Sequence, residues 1–177
     1  MIDVETLSLD PNAHLLSIAA VQFDINTGSI GKQFYEVILQ NKTSGVIDCA
    51  TVRWWMRQDQ QARDAIWSFQ EDQLCLMDVL IKLSNFLVEC QAGDNHYAPV
   101  TPVTIWQRGP MDYVWLESAY ARCYLAPIWF HTQWQDQRTA TKGLPKHKLP
   151  ARIGTAHNAL DDCLHQIECL VRAVSFS

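Results

Sequence analysis

Residues 1–6 alternate Ile2 and Val4 with Asp3 and Glu5, the two-residue period of a β-strand. Residues 15–24 (LLSIAAVQFD) form a mostly apolar run and predict a second strand; residues 34–39 (FYEVIL) predict a third. Thr27-Gly28-Ser29 lies between them as a hairpin signal, so these two strands should pair antiparallel. The pattern then turns helical. Residues 48–58 carry Val52, Trp55 and Met56 at helical spacing, and residues 60–69 predict a second short helix. Across residues 72–91, Leu76, Val79, Leu80, Leu83, Phe86, Leu87 and Cys90 make one apolar stripe. Gly93-Asp94-Asn95 ends it, and Pro99 and Pro102 follow. Residues 104–106 predict a short strand, 112–124 a helix, and 128–130 a fifth strand. A loop bracketed by Pro145 and Pro150 leads to a last helix over 156–174, with Thr155 as its cap. This order describes an α/β sandwich with a mixed sheet. No internal repeat and no Gly-, Ser- or Pro-rich linker divides it, so one domain is expected over residues 1–177.

Composition narrows the partners. Hydrophobic residues make up 48% of the chain and charged residues 19%, a globular balance. Lys and Arg number 14 against 19 Asp and Glu, a formal charge of −5. That excludes a nucleic-acid binder working by bulk positive charge, but not a nucleic-acid enzyme that brings its own cations. No window approaches the roughly 18–20 apolar residues of a membrane span. Residues 74–90 come nearest and are interrupted by Asp78, Lys82, Ser84, Asn85 and Glu89. The opening residues lack the basic and apolar segments of a secretory signal, so a cytoplasmic location is expected. The six cysteines form no CxxC pair and fit buried reduced thiols better than a zinc site.

The candidate chemistry lies in the acids. Period 2 sends Asp3 and Glu5 to one face of the first strand, their Cα atoms roughly 6.5–7 Å apart. An exposed edge strand explains such a pair without any function. The apolar second strand (Ile18, Ala19, Ala20, Val21) instead favours a covered sheet, where two acids are costly unless neutralised. A second constellation is His157-Asn158-Ala159-Leu160-Asp161-Asp162. On a continuous helix a five-residue step leaves His157 and Asp162 about 140° apart. They converge only if His157 sits in the bend before the helix and Asp162 within it; otherwise His157 caps a helix whose acids face water.

These residues carry a resemblance. Asp3-x-Glu5 followed by Thr6, then Asp112 opening a helix after a short strand, then His157-x-Ala159-x-x-Asp162, are similar in order and spacing to the motifs of the DEDDh 3′–5′ exonucleases. Val52-Arg53-Trp54-Trp55-Met56-Arg57-Gln58 resembles a WW-containing helix of a compact, exoribonuclease-like branch found in phages and bacteria. The likeness spans essentially the whole chain. One departure stands out. Where relatives commonly show Trp-Gly-Asn-Gly and then Phe-Asp, this chain reads Trp106-Gln107-Arg108-Gly109-Pro110-Met111-Asp112. Arg108 takes the Asn place, so contacts made by that Asn do not transfer.

The resemblance implies an RNase H-like fold, a mixed five-stranded sheet flanked by helices. It implies metal-dependent hydrolysis of single-stranded RNA or DNA from the 3′ end, releasing nucleoside 5′-monophosphates. Two Mg²⁺ or Mn²⁺ ions would stabilise the attacking and leaving oxygens, which calls for carboxylate ligands. By resemblance Asp3 bridges the ions, Glu5 and Asp162 complete the nucleophile side, Asp112 holds the leaving-group side, and His157 is the general base. Asp161 is one residue off register. Thr6 and Leu7 are the implied contacts to the terminal nucleotide.

Arg138, Lys142, Lys146, Lys148 and Arg152 fall in a stretch from 137 to 160 with no acid, suited to a phosphate backbone or simply to a solvated loop. Arg138 from this stretch and Arg108 from the middle motif are the substrate-binding candidates. Trp54 and Trp55 point about 100° apart on a helix, so at most one faces substrate. Trp55 is the candidate, against the alternative that both pack in the core. Two other functions remain open at this level: a catalytically silent binding module on the same fold, and a phosphohydrolase of very short oligonucleotides. The surplus of tryptophan and apolar residues also allows a homodimer.

Overall fold

In the structure, a computed structural model, residues 1–40, 44–67, 73–92, 102–142 and 148–175 are described. Three strands open the chain: β1 (Ile2–Thr6), β2 (Leu15–Phe23) and β3 (Ile30–Val37). Helices α1 (Cys49–Trp55), α2 (Gln60–Trp67) and α3 (Leu76–Ala92) follow. Then come β4 (Ile105–Gln107), α4 (Met111–Arg122), β5 (Trp134–Asp136), the short α5 (Gln137–Ala140) and α6 (Ala159–Ser175). No helix among the described residues is long and apolar enough to cross a membrane.

The expected hairpin is present: β2 pairs antiparallel with both β1 and β3, in the order β1-β2-β3. Its turn closes at Gly28, whose φ of 75° is left-handed. Strand β3 begins earlier than expected, because Ile30–Gln33 is exposed and lacks apolar alternation yet continues the ladder.

Alternation along β1 and β2 builds two cores. Ile2, Val4, Ile18 and Ala20 pack against Val79, Leu80 and Leu83 of α3 and Leu116, Ala119 and Tyr120 of α4. Ala19 and Val21, on the other face, pack against Ala159, Cys163, Ile167 and Leu170 of α6. Both faces of β2 are therefore covered, which is why it reads as a continuous apolar run. Asp3 lies opposite Ala19 in the ladder, so period 2 turns it toward α6.

The fifth strand is not at residues 128–130 but at Trp134–Asp136, parallel to β4. Its sequence, WQD, has no apolar alternation; pairing with Ile105–Gln107 makes it a strand, while Phe130 is 73% exposed. The strands are divided between a three-stranded antiparallel sheet and a two-stranded parallel one, rather than one five-stranded sheet. Strand β4 lies beside β1 without a ladder among the described residues.

The last helix starts at Ala159, later than residue 156, because Asn158 and not Thr155 acts as the cap. Asn158 Oδ1 accepts from the amides of Leu160 and Asp161 at 3.1 and 3.2 Å. The expected helix segments at Phe69 and Asp72, the stop at Gly93–Asn95 with Pro99, and Pro145 and Lys146 of the loop lie outside the described residues.

Candidate active site

Asp3, Glu5, Asp112, His157 and Asp162 line one cleft of about 480 Å³. Strand β1 supplies the first two from its α6-facing side, and α4 supplies Asp112 from its first turn. Asp112 Oδ1 accepts from the Val4 amide at 3.1 Å, which ties α4 to the outer edge of β1. Helix α4 begins here because Gln107 Oε1 accepts from the Tyr113 amide at 2.8 Å.

His157 and Asp162 do converge, by the bend that the spacing required. His157 has a φ of 66°, left-handed for a non-glycine residue, and its amide donates to Asp162 Oδ2 at 3.0 Å. Asp162 Oδ1 forms an ion pair with Arg152. Asp161 is turned to a different task. Its Oδ2 accepts from the Thr155 amide at 2.7 Å, and it packs so closely on Gly154 that an added Cβ would lie 2.6 Å from its Cγ. Glu5, His157 and Asp162 each bring one ligand atom to within 4.8 Å of the others.

Burial raises the pKa of each β1 acid, and neighbouring acids raise it further. The Asp3 carboxyl is pushed up to about 7, by desolvation first and then by Asp162; a Gln166 hydrogen bond and the charges of Arg108 and Arg152 oppose this. Glu5 is raised well above the usual carboxylate range by desolvation and by Asp3, Asp162 and Asp112. Asp112 is raised well above it by desolvation and Asp3, against the Val4 amide. His157 shifts the other way: burial lowers its pKa and Arg152 adds to this, while Asp162 opposes.

The remaining candidates divide. Arg108 and Arg138 line the same cleft with Arg152. Their wall is built by β5: Asp136 Oδ1 accepts from the Gly109 amide at 2.8 Å and the Arg138 amide at 3.0 Å. Thr6 lines a second cavity of about 380 Å³, which adjoins the cleft through Val4, Glu5, Leu9 and Trp115. Leu7 is buried in a small core with Leu16, Trp55, Ala62 and Ile66 and lines neither cavity. Trp55 is 1% exposed and its indole donates to the Thr6 carbonyl at 2.9 Å, so it is a core side chain. Trp54, 41% exposed, lines the second cavity. Its ring meets His157 edge-on at 4.6 Å between centroids.

Gln166 and Leu9 also line the cleft, though neither stands in one of the motifs. Gln166 Nε2 donates to Asp3 Oδ1 at 2.7 Å. It stands one helical turn after Asp162, so the i, i+4 rule was the available signal. Leu9 is 74% exposed and lines both cavities; an exposed leucine in a loop carries no pattern.

Compared with known proteins, residues 1–174 match the family model of the 3'-5' exoribonuclease Rv2179c-like domain. No curated protein matches the chain. The match extends from β1, which carries Asp3 and Glu5, into α6, which carries Asp162, so it takes in every acid of the cleft. The chain belongs to the 3'-5' exoribonuclease Rv2179c-like family.

Proposed function

We propose that this chain is a metal-dependent 3′–5′ exonuclease hydrolysing single-stranded nucleic acid, RNA and/or DNA, from the 3′ end. The observation that carries the proposal is the convergence of Asp3, Glu5, Asp112 and Asp162, with His157 beside them, in one open cleft. In this reading the two sheets are halves of one RNase H-like layer in the order β3-β2-β1-β4-β5, parted between β1 and β4.

The donor set fits hard divalent cations. It offers carboxylate oxygens and no thiolate, and the pKa values of Asp3, Glu5 and Asp112 are raised by burial first and by neighbouring acids second, a cost that a bound cation would relieve. Asp3, Glu5, Asp112 and Asp162 would hold two Mg²⁺ or Mn²⁺ ions. When bound, such ions lower the pKa of water and stabilise charge on the attacking and leaving oxygens of a phosphodiester.

The chain's own residues do the rest. His157 is kept largely neutral at pH 7 by burial, so its ring can take a proton from the attacking water. Trp54 and Leu9 border the adjoining cavity, which gives a terminal base an aromatic face and an apolar edge. Arg108 and Arg138 line the cleft with the acids, where they would hold phosphates of the incoming strand.

The direct test is a product ladder from 5′-labelled RNA and DNA oligonucleotides in Mg²⁺ or Mn²⁺. Stepwise shortening of the labelled strand by one nucleotide supports the proposal. Binding without cleavage, with both metals and both nucleic acids, would instead assign a silent binding module.

A further inference from the structure

We infer that Arg152 holds the place of a cation at Asp162, and that its release couples metal loading to capture of an RNA phosphate. This rests on the exoribonuclease reading above.

Asp162 uses both carboxylate oxygens within the chain: Oδ2 accepts from the His157 amide at 3.0 Å, and Oδ1 pairs with the Arg152 guanidinium. The two contacts differ in how readily they can be given up. The amide contact belongs to the turn that sets His157 at its left-handed φ, so losing it would move the ring. Arg152 is a side chain on a flexible stem, 29% exposed; its other nitrogen reaches the Thr155 carbonyl only at 3.5 Å. Asp162 is otherwise faced by Asp3 and Glu5 of β1 and by the His157 ring. Arg152 is the cation paired with this group, and it also offsets the charge of Asp3 and Glu5.

A divalent ion at Asp162 needs the oxygen that Arg152 now occupies, so ion and guanidinium compete. Once displaced, Arg152 remains in the cleft that Arg108 and Arg138 also line. There its forked donors match the oxygens of a phosphate. The coupling is reciprocal: a phosphate that draws Arg152 off Asp162 must raise metal affinity by the same factor as metal raises affinity for the phosphate.

The test is calorimetric titration of Mn²⁺ into the full chain, with and without a single-stranded RNA whose 3′-terminal linkages resist hydrolysis. Wild type, Arg152→Gln and Arg152→Lys are compared. Without RNA, Arg152→Gln should bind Mn²⁺ tighter by on the order of fivefold, as expected for losing a partly exposed ion pair. RNA should tighten Mn²⁺ binding more in the wild type than in Arg152→Gln, where only the direct contact between ions and phosphate is left. Arg152→Lys keeps the charge and serves if the Gln variant folds poorly; it should bind Mn²⁺ nearly as the wild type does and show less enhancement by RNA. Equal or weaker Mn²⁺ binding by Arg152→Gln overturns the inference and leaves the proposed function standing. So does an RNA enhancement of the same size in all three proteins. Failure of the wild type to bind Mn²⁺ at all would sink the proposed function and this inference together.

Discussion

Asp3 carries the largest consequence at the scale of single residues. Its folded pKa of about 7 lies above the ordinary 3.8, so the folded chain holds a proton that the unfolded chain has released between those values. Metal-free stability must therefore fall as pH rises through that window, with the full penalty present above it. Asp3→Asn removes the penalty while retaining an oxygen for Gln166. The metal-free variant should be more stable than wild type at pH 8, by about 1 kcal/mol, and indistinguishable from it near pH 4. The cleft admits solvent, which screens part of the effect and argues against a larger figure. His157 acts with the opposite sign: its lowered pKa means that stability is lost as pH falls through about 6.5. Urea unfolding of both proteins at the two pH values cancels His157, which is common to them, and reads Asp3 together with the relief it gives Glu5 and Asp112. As the proposed base, His157 should cost ~10²–10⁴-fold in rate when changed to Ala. The wild-type rate should rise with pH and level off at a lower pH than an ordinary histidine would give, and that rise should be missing from the variant. Neighbouring acids should behave differently. Asp162→Ala should abolish both cleavage and the thermal response to metal. Asp161→Ala should keep both and lose roughly 1 kcal/mol with its hydrogen bond to Thr155.

Helix α1 sorts its two tryptophans as the 100° step between neighbours requires. Trp55→Ala should cost roughly 3–5 kcal/mol of stability, because it empties the core shared with Leu7, Leu16, Ala62 and Ile66. Trp54→Ala should leave the melting temperature nearly unchanged and weaken RNA binding by about 1–3 kcal/mol, the worth of one stacked base. The same contrast shows what a sequence can carry. Elements were legible where burial imposed a period: β1 and β2 alternate or run apolar because two helical layers cover them, and α3 shows its stripe because one side meets the sheet. Strand β5 was illegible, since Trp134–Asp136 is fixed by pairing with β4 and by the hydrogen bonds of Asp136, not by its own hydrophobicity. The cap of α6 was misplaced because Thr155 and Asn158 are both good caps, and only the bend at His157 decides between them. The motif acids and His157 were readable as a set, and the structure brings all of them to one cleft. Arg152 on Asp162 and Gln166 on Asp3 depend on how a loop and a helix return to β1, which no local pattern records.

On the scale of the whole molecule, charge and cavity shape set which substrates can be used. The four cleft acids count for −4 of the formal charge of −5, and burial with mutual repulsion disfavours the ionised forms of Asp3, Glu5 and Asp112 until a cation binds. Saturating Mg²⁺ or Mn²⁺ should raise the melting temperature, because ions bind the assembled cluster and not the unfolded chain. The cavity beside Glu5 is about 380 Å³ and walled by Trp54, Trp55 and Thr6, room for a chain end rather than for a strand passing through. A strand that presents its 3′ terminus there can lay its last phosphodiester across the acids while its upstream phosphates meet Arg108 and Arg138. A circular single strand has no end to insert and should persist in a mixture where the linear form of the same sequence is degraded. A blunt duplex should be cut far more slowly than either strand alone. Unpairing each terminal base costs a few kcal/mol, and a small acidic chain with three arginines in its cleft has little binding energy to offset that. Gel analysis of circular, linear and duplex RNA in one reaction checks all three expectations. Loss of the circle at the same rate as the linear strand would mean internal cleavage, and would remove the end-binding role assigned to the Trp54 cavity.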